Sequence, residues 1–301
     1  MICMNIQETL YFIRTNKNIA QRELLQYVDA SVYSKIESGK KNLRVSELLE
    51  ILDRLSIPFD EFSKYADIDY SQKKFRALLG RYKNTPQDPT IKDELLIYFY
   101  SLEFSINMPL NELSNYVLVK TYFSSHWEEI SKLTELELTC IYNLLSTKNY
   151  FFHYDYAILA NTIYLFDNEQ IDFLVKKSFP VPDMSYRNAA TKEFVTNLIN
   201  NLITTLLRKK EYQKCMFYLS LAKQEKQNYD LTYKIIVHFL ESLTSFLKTN
   251  DTKYAEHLTY HINYLTIIEE QDLAQSLKIE LESLLSKNQE QLILLRNQFN
   301  Q

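Results

Sequence analysis

A chain of 301 residues, 46% hydrophobic and 24% charged, has room for two globular domains and does not have the composition of a disordered one. It holds only two glycines, Gly39 and Gly80. That removes the glycine-rich phosphate loops of nucleotide enzymes and argues against tight β-hairpins, since both rely on backbone at positive φ. The net charge of −4 speaks against nucleic acid only on average, because screening limits phosphate binding to nearby charges.

The expected fold class is therefore all-α, with helices joined by short polar loops. Cys3, Cys140 and Cys215 are odd in number and far apart, which is neither a disulfide framework nor a zinc site and points to a reducing cytoplasm. No apolar run reaches the ~20 residues a membrane span requires, and no secretion signal is evident at the start. Translation can begin at Met1 or Met4, and helical periodicity begins near Met4.

In chain order, Ile6, Leu10 and Ile13 recur at helical spacing, and Asn16-Lys17-Asn18 ends this first helix. Residues 21–26 read as a short second helix. A third, Ala30 to Glu37, takes Asp29 as its cap and Gly39 as its left-handed exit. Ser46 is the expected cap of a fourth helix with an apolar face of Leu48, Leu49, Leu52 and Leu55. Pro58 then opens a fifth at its first position, with Asp60 and Glu61 in the favourable first turn. Five short helices, the second and third joined by a tight turn, match the helix-turn-helix pattern. Between residues 14 and 44 the bases are Arg14, Lys17, Arg22, Lys35, Lys40, Lys41 and Arg44, against Glu23, Asp29 and Glu37, so this stretch carries +4 and the rest of the chain −8. A basic head on an acidic body suits a protein that meets DNA with one face.

The run from Val28 to Gly39, with Ser31-Val32-Tyr33-Ser34-Lys35-Ile36-Glu37 at its centre, resembles the recognition helix of XRE-type repressors. It is most similar to the Rgg/MutR branch, as are Ile13-Arg14 and the stretch from Leu55 to Phe62. The resemblance covers about 55 residues and implies that the third helix enters the major groove. It places Ala30, Ser31 and Lys35 toward base edges or adjacent phosphates. Gln21 would hold the backbone, with Arg14, Lys40, Lys41 and Asn42 flanking. Ala30 stands where a longer polar residue is common and offers only a methyl contact, so readout leans on Ser31 and on DNA shape. Arg14 has a second reading, an internal pair with Glu37, and both stay open here.

The head is assigned to residues 1–66, a polar linker to 67–71 and a helical-repeat body to 72–301. Helical segments are expected at about 71–83, 90–105, 109–123, 132–146, 149–165, 168–178, 186–209, 211–227, 229–248, 252–268 and 271–296, separated by proline and asparagine breaks. Successive pairs span 35–45 residues, the range of tetratricopeptide-like repeats, though that repeat's consensus Trp and Gly-Tyr are missing. Such pairs stack into a right-handed solenoid.

In the body, residues 153–166 and 195–202 resemble, more weakly, two helices of the Rgg/MutR concave face. What this implies is the function of the RRNPP group: a short imported hydrophobic peptide binds the repeat domain of a homodimer and changes promoter use. By position, Asn161 and Asn201 become the contacts to the peptide backbone, with Tyr164, Asn197 and Thr205 a turn away. Several relatives hold a peptide carboxylate with an arginine beside that asparagine. This chain has no arginine between Arg81 and Arg187, so its anchoring should differ. An internal helix–helix bond is the competing role for Asn161. The competing role for the whole body is that of a protein-partner or structural domain. His257 and His261, at i and i+4, lack a third ligand and are read as packing or surface residues, and no cofactor or metal is expected. Cys140 and Cys215 are read as small core residues, and residues 252–296 as the dimer contact or the solenoid cap.

Overall fold

The computed structural model describes residues 4–24, 30–66, 68–102, 104–105, 107–224 and 231–285, and the side chains of Ala30 and Tyr70 stand outside that set. Fifteen α-helices occur among these residues and no strand beyond a lone bridge from Met4 to Ala66. The chain divides into two compact units between Leu96 and Ile97.

The first unit holds α1 (Ile6–Asn16), a single 3₁₀ turn (Gln21–Glu23), α2 (Ala30–Glu37), α3 (Val45–Leu55), α4 (Phe59–Tyr65) and α5 (Tyr70–Asn84). Helix α1 begins in a reciprocal cap: Asn5 Oδ1 accepts from the Glu8 amide at 2.8 Å, and Glu8 Oε2 accepts from the Asn5 amide at 2.9 Å. Its core gathers Leu10, Ile13, Tyr33, Ile36, Ile51, Leu55 and Phe62, each worth roughly 1.5–3 kcal/mol on burial.

Several boundaries differ from expectation. Helix α3 starts two residues early, with Arg44 as its cap residue rather than Ser46, because the Glu47 carboxylate turns back to accept the Arg44 amide at 2.9 Å. Its buried face is Leu48, Ile51, Leu52 and Leu55, the i, i+3, i+4, i+7 set, which leaves Leu49 52% exposed. Pro58 precedes α4 as its cap residue. The expected Asp29 cap and the later part of the second helix fall outside the described residues. The proposed linker is shorter than 67–71, since α5 begins at Tyr70, and α5 is tied back to the head where Lys73 Nζ donates to Ser63 O at 3.2 Å and Ala66 O at 2.6 Å.

Helix α6 (Pro89–Tyr100) crosses the division. Beyond it come α7 (Leu110–Phe123), α8 (Glu135–Ser146), α9 (His153–Thr162) with a 3₁₀ turn at Ile163–Leu165, and α10 (Asn168–Ser178). Then follow α11 (Ala189–Arg208), α12 (Tyr212–Lys223), α13 (Leu231–Thr249), α14 (Thr252–Ile267) and α15 (Gln271–Leu285). Helices α7, α9, α11 and α13 pack successively on one another. On them lie α8, which also touches α10, then α12 against α11 and α13, and α14 against α13. This is the two-layered stacking of a helical repeat. Cys215 is fully buried, as expected of a core residue, whereas Cys140 is half-exposed. Phe99 stacks on Tyr116 at 5.4 Å, but Phe217 is 48% exposed.

With so few glycines, other residues must supply the left-handed exits of helices. Asn18, Ser56, Lys210, Asn250 and Glu269 do so, at φ between 48° and 63°. After Asn18, Ser56, Lys210 and Glu269 the next amide bonds back five residues, as in Ile57 to Leu52 O at 3.0 Å and Glu211 to Leu206 O at 2.9 Å, the closing bond of a Schellman turn. An L-residue held there costs about 1 kcal/mol relative to glycine. Ser56→Gly and Lys210→Gly should therefore each stabilise the protein by ~1 kcal/mol, read as a higher midpoint in urea with an unchanged slope.

One charged cluster lies inside the second unit. Lys120 Nζ on α7 donates to both Glu137 oxygens at 2.9 Å, the Tyr116 hydroxyl donates to Oε1, and both charged residues are under 8% exposed. Burial alone would raise the Glu137 pKa, but hydrogen bonds from the Thr134 amide, Tyr116 and Lys120 prevail and hold it below the usual 4.5. Its contribution to stability is thus present above pH 4.5 and is lost as the pH falls through the folded value. Lys120→Met, which strands a buried carboxylate, should cost about 3–5 kcal/mol at neutral pH. Chemical denaturation checks this, with Glu137→Leu in the same chain expected to restore most of the loss.

Candidate functional site

Helix α2 has two faces of different chemistry. Tyr33 and Ile36 point into the core of the first unit with no exposed area, while Ser31, Ser34, Lys35 and Ser38 face solvent. Gly39, at φ +69°, then turns the chain into a short loop carrying Lys40, Lys41 and Asn42, of which Lys40 and Asn42 are exposed. Among the described residues, Lys35 and Lys40 form no ion pair. Lys41 reaches Glu47 Oε1 at 2.9 Å and is 38% exposed. The exposed bases Arg22 and Arg44 were not singled out from the sequence. Arg44 could have been, as the residue opening a helix next to the Lys40-Lys41 pair.

Arg14, read as a flanking contact or as an internal pair, and Gln21, expected to hold the DNA backbone, both bond to Glu37. Glu37, at the end of α2, accepts from Arg14 Nε at 2.6 Å, Arg14 Nη2 at 3.0 Å and Gln21 Nε2 at 2.7 Å. Arg14 Nη1 also donates to Ile19 O at 3.0 Å. The two charged side chains are 12% and 5% exposed. A single carboxylate thus joins α1, the 3₁₀ turn and α2, and of the two readings of Arg14 the geometry realises the internal pair. The Tyr33 hydroxyl is buried nearby. Burial first, and then the Glu37 charge, push its pKa well above the ordinary phenol value. Ala30 has a described backbone at the start of α2 but no described side chain.

In the second unit the five expected peptide contacts lie on α9, the 3₁₀ turn that follows it and α11. Asn161 Nδ2 donates to Ala157 O of its own helix at 2.9 Å. Asn201 Nδ2 donates across to Ala160 O of α9 at 2.9 Å, locking α11 onto α9. Thr205 Oγ1 bonds to Asn201 O at 2.6 Å. Tyr164 is 38% exposed, and burial raises its pKa while a bond to Thr121 opposes that shift. Asn197, in contrast, lines a cavity of about 470 Å3.

That cavity lies where the first half of α11 faces α13 and α15. Its apolar wall is Ile236, Leu273 and Leu277, with Ala189 and Ala190 leaving room at one end. Thr196, Asn197, Asn200, Thr232 and Ser276 supply polar groups, and Lys192 and Glu193 add charges. Asn200 Oδ1 is fully buried with no hydrogen-bond partner among the described residues. Asn161, Tyr164, Asn201 and Thr205 do not line it. The residues missed here, Lys192, Glu193, Thr196 and Asn200, form with Asn197 a polar stripe at i, i+1, i+4, i+5 and i+8 of α11, which is a readable signal. A second hollow of about 310 Å3, more apolar, is bounded by Phe104, Leu113, Cys140, Ile141 and Leu144. Neither is a metal site: among the described residues no cluster of three metal-binding side chains occurs. None of the described helices is long and apolar enough to cross a membrane.

No protein-family model matches the chain, and no curated protein matches it in sequence. Solved structures do match in fold. The PrgX/cCF10 complex is 21% identical with a TM-score of 0.74, covering 92% of this chain and 99% of that one. Rgg2 of Streptococcus dysgalactiae, described as an SHP pheromone receptor, is 18% identical with a TM-score of 0.69, covering 93% and 99%. A transcriptional regulator assigned in Listeria monocytogenes EGD-e is 18% identical with a TM-score of 0.70, covering 94% and 97%. The chain therefore has the all-helical fold of these proteins over nearly its full length.

The Glu37 clamp yields a test of its own. Glu37→Gln keeps the shape but leaves Arg14 without its anion, and should destabilise the head by about 3–5 kcal/mol. Amide hydrogen exchange in α1 and α2 is the readout, with exchange in α9 and α11 expected to stay unchanged.

Proposed function

We propose that this protein is a transcription regulator that binds promoter DNA through α2 and is controlled by a short apolar peptide held in the body. The observation that carries the reading is the division of α2: one face is locked to the core by Tyr33, Ile36 and Glu37, and the other offers Ser31 and Lys35 beside Lys40 and Asn42. A rigid helix that presents short polar and basic groups together is what groove reading needs, with lysines on phosphates and small hydroxyls at base edges. Ser31, Lys35, Lys40, Lys41 and Asn42 keep the roles implied by the resemblance. Arg14 and Gln21 serve by holding α2 in place. The fold shared with a bacterial peptide pheromone/receptor complex and with Rgg2, an SHP pheromone receptor by its description, supports peptide control. So does the α11 cavity, lined by aliphatic side chains of α13 and α15 and by amides of α11 able to pair a peptide backbone.

Two copies belong to the proposal, because two heads on two half-sites about one helical turn apart give an operator its length. Helix α14 leaves Tyr260, Tyr264 and Ile267 exposed at i, i+4 and i+7, which supports a dimer contact there. The peptide must bind one dimer geometry more tightly than another, since equal affinity would shift nothing.

Selection of the full chain on randomised double-stranded DNA tests the reading. Wild type should enrich a defined sequence. Ser31→Glu should abolish that enrichment with helical content intact, and Lys40→Ala should weaken all sequences alike and lower the salt slope by about 1. Retained enrichment in Ser31→Glu would remove α2 from the groove. Adding pooled short apolar peptides should change the affinity, and indifference to them would return the body to a protein-partner or structural role.

A further inference from the structure

We propose that the outer face of α5 is a second DNA contact, which holds the phosphate backbone flanking the half-site read by α2; this rests on the DNA-binding reading above. Helix α5 carries Lys73, Lys74, Arg76, Arg81 and Lys83 and no acidic residue. It is the most basic of the described helices, and its charge exceeds the net +4 of residues 14–44 in about half the length. Lys73 turns inward to the carbonyls of Ser63 and Ala66 and fixes α5 to α4. The other four bases are exposed. Among the described residues, Lys74 and Lys83 form no ion pair. Arg76 meets Asp69 at 3.3 Å and Arg81 meets Glu94 at 2.8 Å, with all four of these side chains about half exposed. Surface pairs of this kind are weak and screened by salt, so a phosphate can take the place of either carboxylate.

The helix repeat sets the arrangement of these bases. Gln72, Phe75 and Leu78 are buried, which defines the inner side of α5. At about 100° per residue, Lys74 and Arg81 then stand along one edge of the outer face and Arg76 and Lys83 along the other. Each pair is about 10.5 Å apart along the axis, close to the ~10 Å axial rise of three successive phosphates of one strand. Between the two edges lie Ala77, which is exposed, and Gly80, where nothing stands within 4 Å of the position a Cβ would take. A strand of sugar and phosphate can therefore lie close against the helix, framed by cations. Bases spread this widely cannot converge on one small anion. A helix that lies on a membrane offers large apolar side chains to it, whereas Phe75 and Leu78 are buried and Ala77 and Gly80 occupy the outer face. A regular polyanion meets these conditions, and α5 belongs to the same compact unit as α2, so the duplex that α2 reads is the one within its reach.

The experiment measures the affinity of the full chain for the duplex it enriches from the randomised pool, across a range of salt concentrations. Two forms of that duplex are used, one with long flanks of unrelated sequence and one trimmed to the enriched bases. On the long duplex, Lys74→Gln with Lys83→Gln should lower the slope of log affinity against log salt by about 1.8, the loss of two phosphate contacts. The enriched sequence should not change, because phosphate contacts carry no sequence information. Lys74→Arg with Lys83→Arg should keep the wild-type slope. Trimming should lower the slope of wild type by a similar amount and that of the double glutamine variant hardly at all. An unchanged slope in the glutamine variant, with wild type still enriching a sequence, would overturn the α5 contact and leave α2 in the groove. A wild-type slope indifferent to trimming would overturn the flanking position. If the glutamine variant instead loses capture by phosphatidylglycerol vesicles at an unchanged DNA slope, the strip belongs to a lipid surface and the proposal fails. Should wild type enrich no sequence, the DNA-binding reading falls, and the α5 contact with it.

Discussion

Helix α11 has to satisfy neighbours on opposite sides at once, and much of the second unit depends on how it does so. Toward α9 it closes completely: Leu198, Leu202 and Ile203 are buried, and Asn201 bonds to the Ala160 carbonyl. Toward α13 and α15 it closes only over part of its length. At its C-terminal end Arg208 pairs with Glu280 of α15 at 2.5 Å. In its first half the side chains that line the cavity are small or polar, and space is left between the helices. Close packing is the rule in protein interiors, so a gap of this size between well-ordered helices follows from the choice of Ala189, Ala190, Thr196 and Asn200 at positions where leucines would have filled it.

The head depends on a single carboxylate in a comparable way. Glu37 gathers a guanidinium and a carboxamide from two other segments, and a buried charge that is paired this fully holds its neighbours in one geometry. The basic residues of the head consequently divide into two groups by environment. Arg14 is consumed by the fold, and Lys41 is drawn to Glu47, whereas Lys35, Lys40, Arg22 and Arg44 face water. Counting charges along the sequence cannot make that division, since it follows from which residues share the interior with Glu37. Arg14 and Glu37 leave the surface together, so the clamp does not alter the +4 of residues 14–44; only Lys41 is drawn to an acid outside that stretch.

Scarcity of glycine shows a related limit of reading by composition. It pointed correctly to helices and short loops, yet left-handed helix ends still occur, at Ser56, Lys210 and Glu269 among others. The Schellman bond outweighs the strain of an L-residue there. The fold class survives this because helices need such exits only at their ends, whereas hairpins would need them in every turn.

What the sequence determined by itself was local: helix type, the bounds of α2, and several of the proline and asparagine breaks between the helices of the body. These follow from periodicity and capping, which act within a few residues. Resemblance added the expected fold, and solved structures of about 20% identity share it. Only the tertiary structure decided which polar residues are spent on the fold and which remain available. Asn161 on α9 and Asn197 and Asn201 on neighbouring turns of α11 are the same residue type, yet the first bonds its own helix, Asn201 bonds α9 and Asn197 faces a cavity. The difference lies in which helix packs opposite each of them, a contact made across tens of residues of chain that no local pattern encodes.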